Sequence, residues 1–173
     1  MKKLIVILHN IRSTYNVGAI LRSCDGLGVD EVVFAGYTPF LDKGLPHERA
    51  KLAKQIHKTA LGAEQSVNWR RIEDLPRFLR QLQAQGYRVA ALEQADDSRS
   101  LADGYQQDTD LALILGEEVH GIPADILGCC DEVLEIPMCG QKESFNVSVA
   151  TGIALWEIRK PVLREIGTRP HRT

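Results

Sequence analysis

Cysteine is scarce in this sequence and poorly placed for cross-linking. The four residues are Cys24, Cys129, Cys130 and Cys139. None forms the paired C-x-x-C spacing of a zinc site, and a vicinal pair is a poor geometry for a structural disulfide. Long apolar runs are also missing. The run Leu4–Leu8 near the start is five residues long, against roughly 20 for a membrane-spanning helix, and no small-residue cleavage site follows it. Reduced thiols in the cytoplasm are therefore expected, with the cysteines serving packing, and no membrane is expected as a partner. Excess positive charge is absent too. There are 21 Lys and Arg against 23 Asp and Glu, for a net charge of −2, which argues against a surface given over wholly to phosphate binding. Internal repeats and low-complexity segments are not found. Gly26-Leu27-Gly28 follows a helical rather than a strand pattern, and nothing matches a P-loop, so NAD and ATP lose ground.

What is present is locally uneven. Residues 49–58 hold Arg49, Lys51, Lys54 and Lys58 with no acid among them, and residues 159–173 hold Arg159, Lys160, Arg164, Arg169 and Arg172 against Glu165 alone. Solvated faces explain such clusters unless a nucleic-acid chemistry appears elsewhere.

Short β-branched runs alternate with helical patterns. Leu4 to Leu8 and Glu31 to Ala35 read as strands, with a helix from Val17 to Leu27 between them whose start Ser13, Thr14 or Asn16 would cap. A Gly/Pro-punctuated loop occupies residues 36–47, and a short helix follows near 48–56. Ile72 to Gln85 is amphipathic, with Leu75, Phe78, Leu79 and Leu82 on one face. Tyr87 to Leu92 and Leu111 to Leu115 are near-continuously apolar, as parallel central strands require, and Glu132 to Ile136 is a further strand. A last helix, about 145–159, is expected to end before Pro161. It has one apolar face of Val147, Ala150, Ala154 and Ile158 and another of Val149, Ile153 and Trp156, so burial on two sides is expected, by a sheet and by a partner chain. The alternation indicates an α/β domain with a mostly parallel sheet.

Three loops after strands hold clusters that packing alone does not explain. The first is Asn10 to Arg22, where Asn16 and the Gly18-Ala19 pair would let another backbone or a ligand come close. The second is Leu115 to Pro123, with Gly116, Glu117, Glu118 and His120 at the carboxyl end of the sheet, where α/β proteins bind ligands. His120 has no metal-spaced partner. The third is Ile136 to Ala150, a strand end, a polar loop and a helix start suited to a carboxylate or a backbone-read ligand.

In order and spacing these clusters resemble the three motifs of the SpoU class of the SPOUT methyltransferase superfamily. The third motif, Ile136-Pro137-Met138 followed by Ser144-Phe145-Asn146-Val147-Ser148-Val149-Ala150, is the most complete. The resemblance implies an α/β fold with a C-terminal trefoil knot over a single domain, 1–160, followed by a basic tail, 161–173. It also implies a homodimer, through the first and last helices. Its implied cofactor is S-adenosyl-L-methionine, held by Leu92, Gly116, Ile136, Met138, Ser144 and Phe145, with no metal. The implied reaction is methyl transfer to an RNA ribose 2′-hydroxyl, served by Asn16, Arg22, Glu118, Ser144 and Asn146. Arg22 is expected to position the hydroxyl and stabilise the developing alkoxide, oriented by Glu118 and Asn16, since a neutral Arg is costly.

Two positions depart from the family pattern. Phe145 stands where Leu is usual, and Glu117 where Asn is common, which bears on substrate preference rather than reaction type. The extra N-terminal RNA-recognition domain of many relatives is not found. Recognition is thus expected to rest on the dimer surface, the 36–58 region and the basic tail. tRNA is the favoured substrate, with rRNA as the alternative. A non-catalytic RNA-binding protein and an unrelated small α/β enzyme are the competing readings.

Overall fold

The computed structural model describes residues 1–40 and 45–167. Seven strands form one sheet in the order β3-β2-β1-β6-β4-β7-β5: β1 (Leu4–His9), β2 (Glu31–Ala35), β3 (Trp69–Arg71), β4 (Arg88–Leu92), β5 (Arg99–Ser100), β6 (Leu111–Leu115) and β7 (Glu132–Glu135). All six pairings are parallel, so a crossover must cover each face. Every residue of β1 and of β6 is buried, which is why both read as unbroken apolar runs.

The helices divide between the two faces. Leu4, Val6 and Leu8 point to one core with α1 (Thr14–Gly26), α2 (Pro46–Ala60), α3 (Ala63–Ser66) and α6 (Val147–Gly167). Ile5 and Ile7 point to the other, with α4 (Leu75–Ala84) and α5 (Ala124–Leu127). Helix α4 starts later than its periodicity suggests because Asp74 caps it, accepting from the Arg77 N–H at 2.9 Å, and Pro76 occupies its first turn. Its four apolar side chains, Leu75, Phe78, Leu79 and Leu82, are all buried, worth roughly 1.5–3 kcal/mol each. Of the three candidate caps of α1, Ser13 is the one used, its hydroxyl accepting from the Asn16 N–H. Helix α2 is longer than expected, running from Pro46, with Glu48 accepting the Leu45 N–H at 2.8 Å.

Gly18 shows what its missing side chain is for. A Cβ there would lie 2.2 Å from Thr59 Oγ1 and 2.3 Å from the Ile56 carbonyl. The close approach expected at Gly18-Ala19 is therefore helix α2 packing on α1, not a ligand.

The C-terminal region differs from expectation in two ways. Helix α6 does not stop before Pro161 but carries it inside and continues to Gly167. Val162 and Leu163, just past the proline, are half-buried, and the helix runs on despite the missing N–H. Residues 161–167 are thus helix rather than tail, while Arg169 and Arg172 lie outside the described residues. Second, Arg159 is not part of a basic footprint. It is 1% exposed and donates to the carbonyls of Lys2 at 3.0 Å and Gly28 at 2.8 Å and to Asp30 Oδ2 at 3.2 Å. Burial lowers its pKa, and the Asp30 carboxylate opposes that shift. The residue ties α6 to the amino-terminal edge of the sheet. The cysteines are mixed in role: Cys24 is in the core, Cys129 and Cys130 are partly buried, and Cys139 is exposed rather than packed.

Strand β7 is inserted between β4 and β5, although β6 precedes it in the chain. The expected trefoil knot concerns how the segments after β4, β6 and β7 pass one another, and this strand order sets those segments side by side. Among the described residues no helix is long and apolar enough to cross a membrane.

Arg159→Ala should lower stability by about 2–3 kcal/mol, the usual loss when hydrogen bonds to a buried charged group are removed. Urea unfolding followed by far-UV circular dichroism would measure it.

Candidate functional site

In a parallel sheet every strand ends on the same edge, and ligands bind where the connections diverge. Here that point lies between β1, whose crossover runs toward β2, and β6, whose crossover runs toward β7. Glu118, in the loop after β6, closes the gap. Its Oε2 accepts the Arg12 N–H at 3.1 Å, and its Oε1 accepts the Ser13 N–H at 3.3 Å and Asn16 Nδ2 at 2.8 Å. Partial burial opposes ionisation of this carboxyl, yet the hydrogen bonds from Asn16, Arg12 and Ser13 outweigh it and hold its pKa below the usual range.

The network continues into α6. Asn16 Oδ1 accepts Asn146 Nδ2 at 3.2 Å, and Asn146 Oδ1 accepts the Ser148 N–H at 2.9 Å and its hydroxyl at 2.7 Å. Asn146 therefore caps α6 while its amide reaches α1. Donors run in one direction from Ser148 through Asn146 and Asn16 to Glu118, so each amide has its partners satisfied in a single orientation.

Beside this chain lies a cavity of about 560 Å³, within the range of small-molecule sites. Its walls come from the segments after β4, β6 and β7. Leu92, Gly116, Ile136, Met138, Ser144 and Phe145 all line it, as do Glu118 and Asn146. Gly116 is required by its own loop: a Cβ there would sit 2.5 Å from the Gly121 carbonyl carbon, closing off the Glu117–Gly121 bridge. Phe145 is 41% exposed, an apolar wall open to a flat ligand.

Two expectations about orientation are not met within one chain. Arg22 is exposed on α1 and does not line the cavity. Glu118 bonds Asn16 and the Arg12 and Ser13 N–H groups, and Asn16 bonds Asn146, while no hydrogen bond joins either to Arg22 among the described residues. His120 is exposed, and its Nδ1 contacts Glu117, whose other oxygen accepts the Tyr37 hydroxyl. Those two contacts hold the Glu117 carboxyl below its usual pKa.

Among the cavity residues missed in the sequence are Glu93 and Gln94. Glu93 Oε2 accepts the Ile122 N–H at 3.0 Å, and Gln94 Nε2 donates to the Glu143 carbonyl at 2.7 Å. They join the segment after β4 to the other two. Their place directly after a central strand was the available signal.

A family model described as the SpoU rRNA Methylase family matches residues 3–156. The chain belongs to this family. It is 34% identical over 164 residues to a 23S rRNA (guanosine-2'-O-)-methyltransferase RlmB of Burkholderia sp, a match covering 94% of this chain and 61% of that protein. The chain spans about three fifths of the length of the curated relatives it matches. A solved structure concerned with the 2-OH methylation of C/U34 on tRNA is similar at 26% identity and a TM-score of 0.73, covering 97% of this chain and 99% of that one. The fold is also that of an AdoMet bound rRNA methyltransferase from Sinorhizobium meliloti, at 23% identity and a TM-score of 0.80, over 92% of this chain and 57% of that one. The SpoU match spans β1 through the first half of α6, and so covers all three cavity segments.

A lowered carboxyl pKa contributes stability above the unfolded value, and that contribution is lost as pH falls through the folded one. The stability difference between wild type and Glu118→Gln should accordingly be full near pH ~6, in line with that linkage, and shrink as pH drops below the ordinary 4.5. Thermal unfolding of both proteins across that interval would show it.

Proposed function

We propose that this chain transfers a methyl group from S-adenosyl-L-methionine to a ribose 2′-hydroxyl of RNA, with tRNA as the favoured substrate. The observation that carries this reading is the single cavity wall formed by Leu92, Gly116, Ile136, Met138, Ser144 and Phe145 in a SpoU-family chain. The residues present suit the cofactor. Leu92, Ile136 and Phe145 offer apolar surface to an adenine, and Glu93, Glu117, Glu118, Glu135 and Glu143 line the same cavity, an acid-rich setting for a ligand that carries a sulfonium and an ammonium.

When bound, S-adenosyl-L-methionine supplies an electrophilic methyl carbon, so that an O–C bond forms in line as the C–S bond breaks. The chain's own task is alignment and relief of charge on the attacking oxygen. Glu118, Asn16 and Asn146 lock the loops around the cavity, and Ser144 presents a hydroxyl to it. Arg22 positions the ribose hydroxyl and stabilises the developing alkoxide through its guanidinium. An RNA phosphate oxygen or water takes the proton.

Arg22 lies outside its own chain's cavity, which supports the dimer reading. Val149, Ile153 and Trp156 of α6 are 50%, 37% and 54% exposed, an apolar strip with no partner among the described residues. Gly152 brings α6 close to Ser23 of α1, whose Oγ is 3.9 Å from where a Cβ would be. A second copy docked on the first and last helices would cover that strip and bring an Arg22 toward the partner's cavity.

For the substrate, the structure concerned with C/U34 on tRNA matches over 99% of its length, whereas the rRNA-named RlmB relative matches over 61%. Arg49, Lys51, Lys54 and Lys58 are exposed on α2, a phosphate-facing surface beside α1.

Ribose methylation mapped across all stable RNAs, with and without the protein, tests the function. Loss of one tRNA mark is expected, an rRNA mark would correct the substrate, and no lost mark would favour a non-catalytic RNA-binding role. Arg22→Ala should abolish methyl transfer while calorimetry finds S-adenosyl-L-methionine binding nearly intact. Near-full activity of that variant would remove Arg22 from the mechanism.

A further inference from the structure

Tyr37 is 54% exposed at the tip of the turn after β2, and an unusual amount of structure holds that tip still. Asn10, at φ 61°, and Gly36, also at φ 61°, shape the turn, and Asn10 Oδ1 accepts the Tyr37 N–H at 3.1 Å. Thr38 is fully buried. Its hydroxyl donates to the Leu8 carbonyl at 2.8 Å and accepts the Ile11 N–H at 3.0 Å. Arg71 reaches over from β3 and donates to the carbonyls on both sides of Tyr37, those of Gly36 at 2.9 Å and Thr38 at 3.1 Å. The ring is anchored at its far end as well, since its hydroxyl donates to Glu117 and Glu117 contacts His120. Glu117 and His120 line the cavity, so the ring stands at its mouth.

Folding does not account for this investment. An aromatic ring half in water gains little burial energy, and the hydrogen bond to the half-buried Glu117 carboxylate fixes the ring's position without covering its face. A ring fixed in place and left open has the form of a binding surface. Arg12 is close enough for its charge to act on both Tyr37 and Glu117, and it is exposed, available to a phosphate.

We infer that Tyr37 is the platform on which a base of the substrate RNA stacks beside the ribose being methylated, with Glu117 and His120 fixing the ring at the cavity mouth. Unstacked RNA bases are held in this way by aromatic side chains, and one such stack affects affinity by several-fold to a hundredfold. Glu117, the acid that replaces a common Asn, thereby has a use: it anchors the phenol through a charge-assisted bond. The inference rests on the RNA reading above.

The test uses the whole protein with bulk tRNA from cells that lack it, measuring RNA binding by filter retention and methyl transfer separately. Tyr37→Ala should raise the RNA Kd and KM on the order of tenfold, the scale of one lost stack. Its kcat at saturating RNA should fall far less, with S-adenosyl-L-methionine affinity within about twofold. Tyr37→Phe keeps the ring without its anchor and should fall between. If Tyr37→Ala unfolds, Tyr37→Leu, with apolar bulk but no aromatic face, reads the same loss. Wild-type RNA affinity in Tyr37→Ala or Tyr37→Leu would overturn the inference. So would a Tyr37→Phe as impaired as Tyr37→Ala, because the hydroxyl contact would then be what matters. A wild-type protein that transfers no methyl group, yet binds RNA through Tyr37, would uphold the stacking surface and remove the enzymatic reading.

Discussion

Glu118 accepts hydrogen bonds from Arg12, Ser13 and Asn16 across the point where the sheet's connections part. Without that carboxylate, two backbone N–H groups at the start of α1 and one side-chain amide would face one another across an open seam. With it, the loop after β6 and the start of α1 become one rigid rim. The cavity depends on this because its own walls are loops, and loops hold a shape only when their polar groups are paired. Glu93 and Gln94 repeat the device on the other side, so the three segments and the start of α1 form a closed ring of hydrogen bonds around the cavity.

Helix α6 has three neighbours with different demands. Asn146 at its first turn belongs to the rim, Ala154, Leu155 and Ile158 belong to the core, and Arg159 belongs to the opposite edge of the sheet. A rigid helix of 21 residues makes those three environments mechanically continuous. Its remaining side, Val149, Ile153 and Trp156, is left exposed.

Much of this was legible in the residues. The all-buried β1 and β6, the α4 face and the positions of the three functional loops follow from apolar periodicity and glycine placement. The six cavity-lining residues required the family resemblance, because apolar and backbone contacts leave no polar signature. What the sequence concealed were choices made by tertiary contact. Pro161 signals a helix end, yet the helix runs through it to Gly167. Arg159 reads as one of a basic cluster, while four partners distant in sequence, Lys2, Gly28, Asp30 and Gln107, draw it inside. Gly18 could have served a ligand or a neighbouring helix, and only the position of Thr59 decides. The link between Asn16 and Asn146 spans 130 residues, beyond any local pattern.

The place of β7 has a consequence for how the molecule is made. Strand β5 pairs only with β7 among the described residues, and β4 has one edge free until β7 fills it. During synthesis the chain must therefore carry an unpaired edge on a central strand until the last quarter of its length emerges. Long-range parallel pairing of this kind is slow, and an open edge is a template for wrong partners. The slot that later shapes the cavity is, for a nascent chain, its most exposed period of risk, and a reason for such a domain to fold late and all at once.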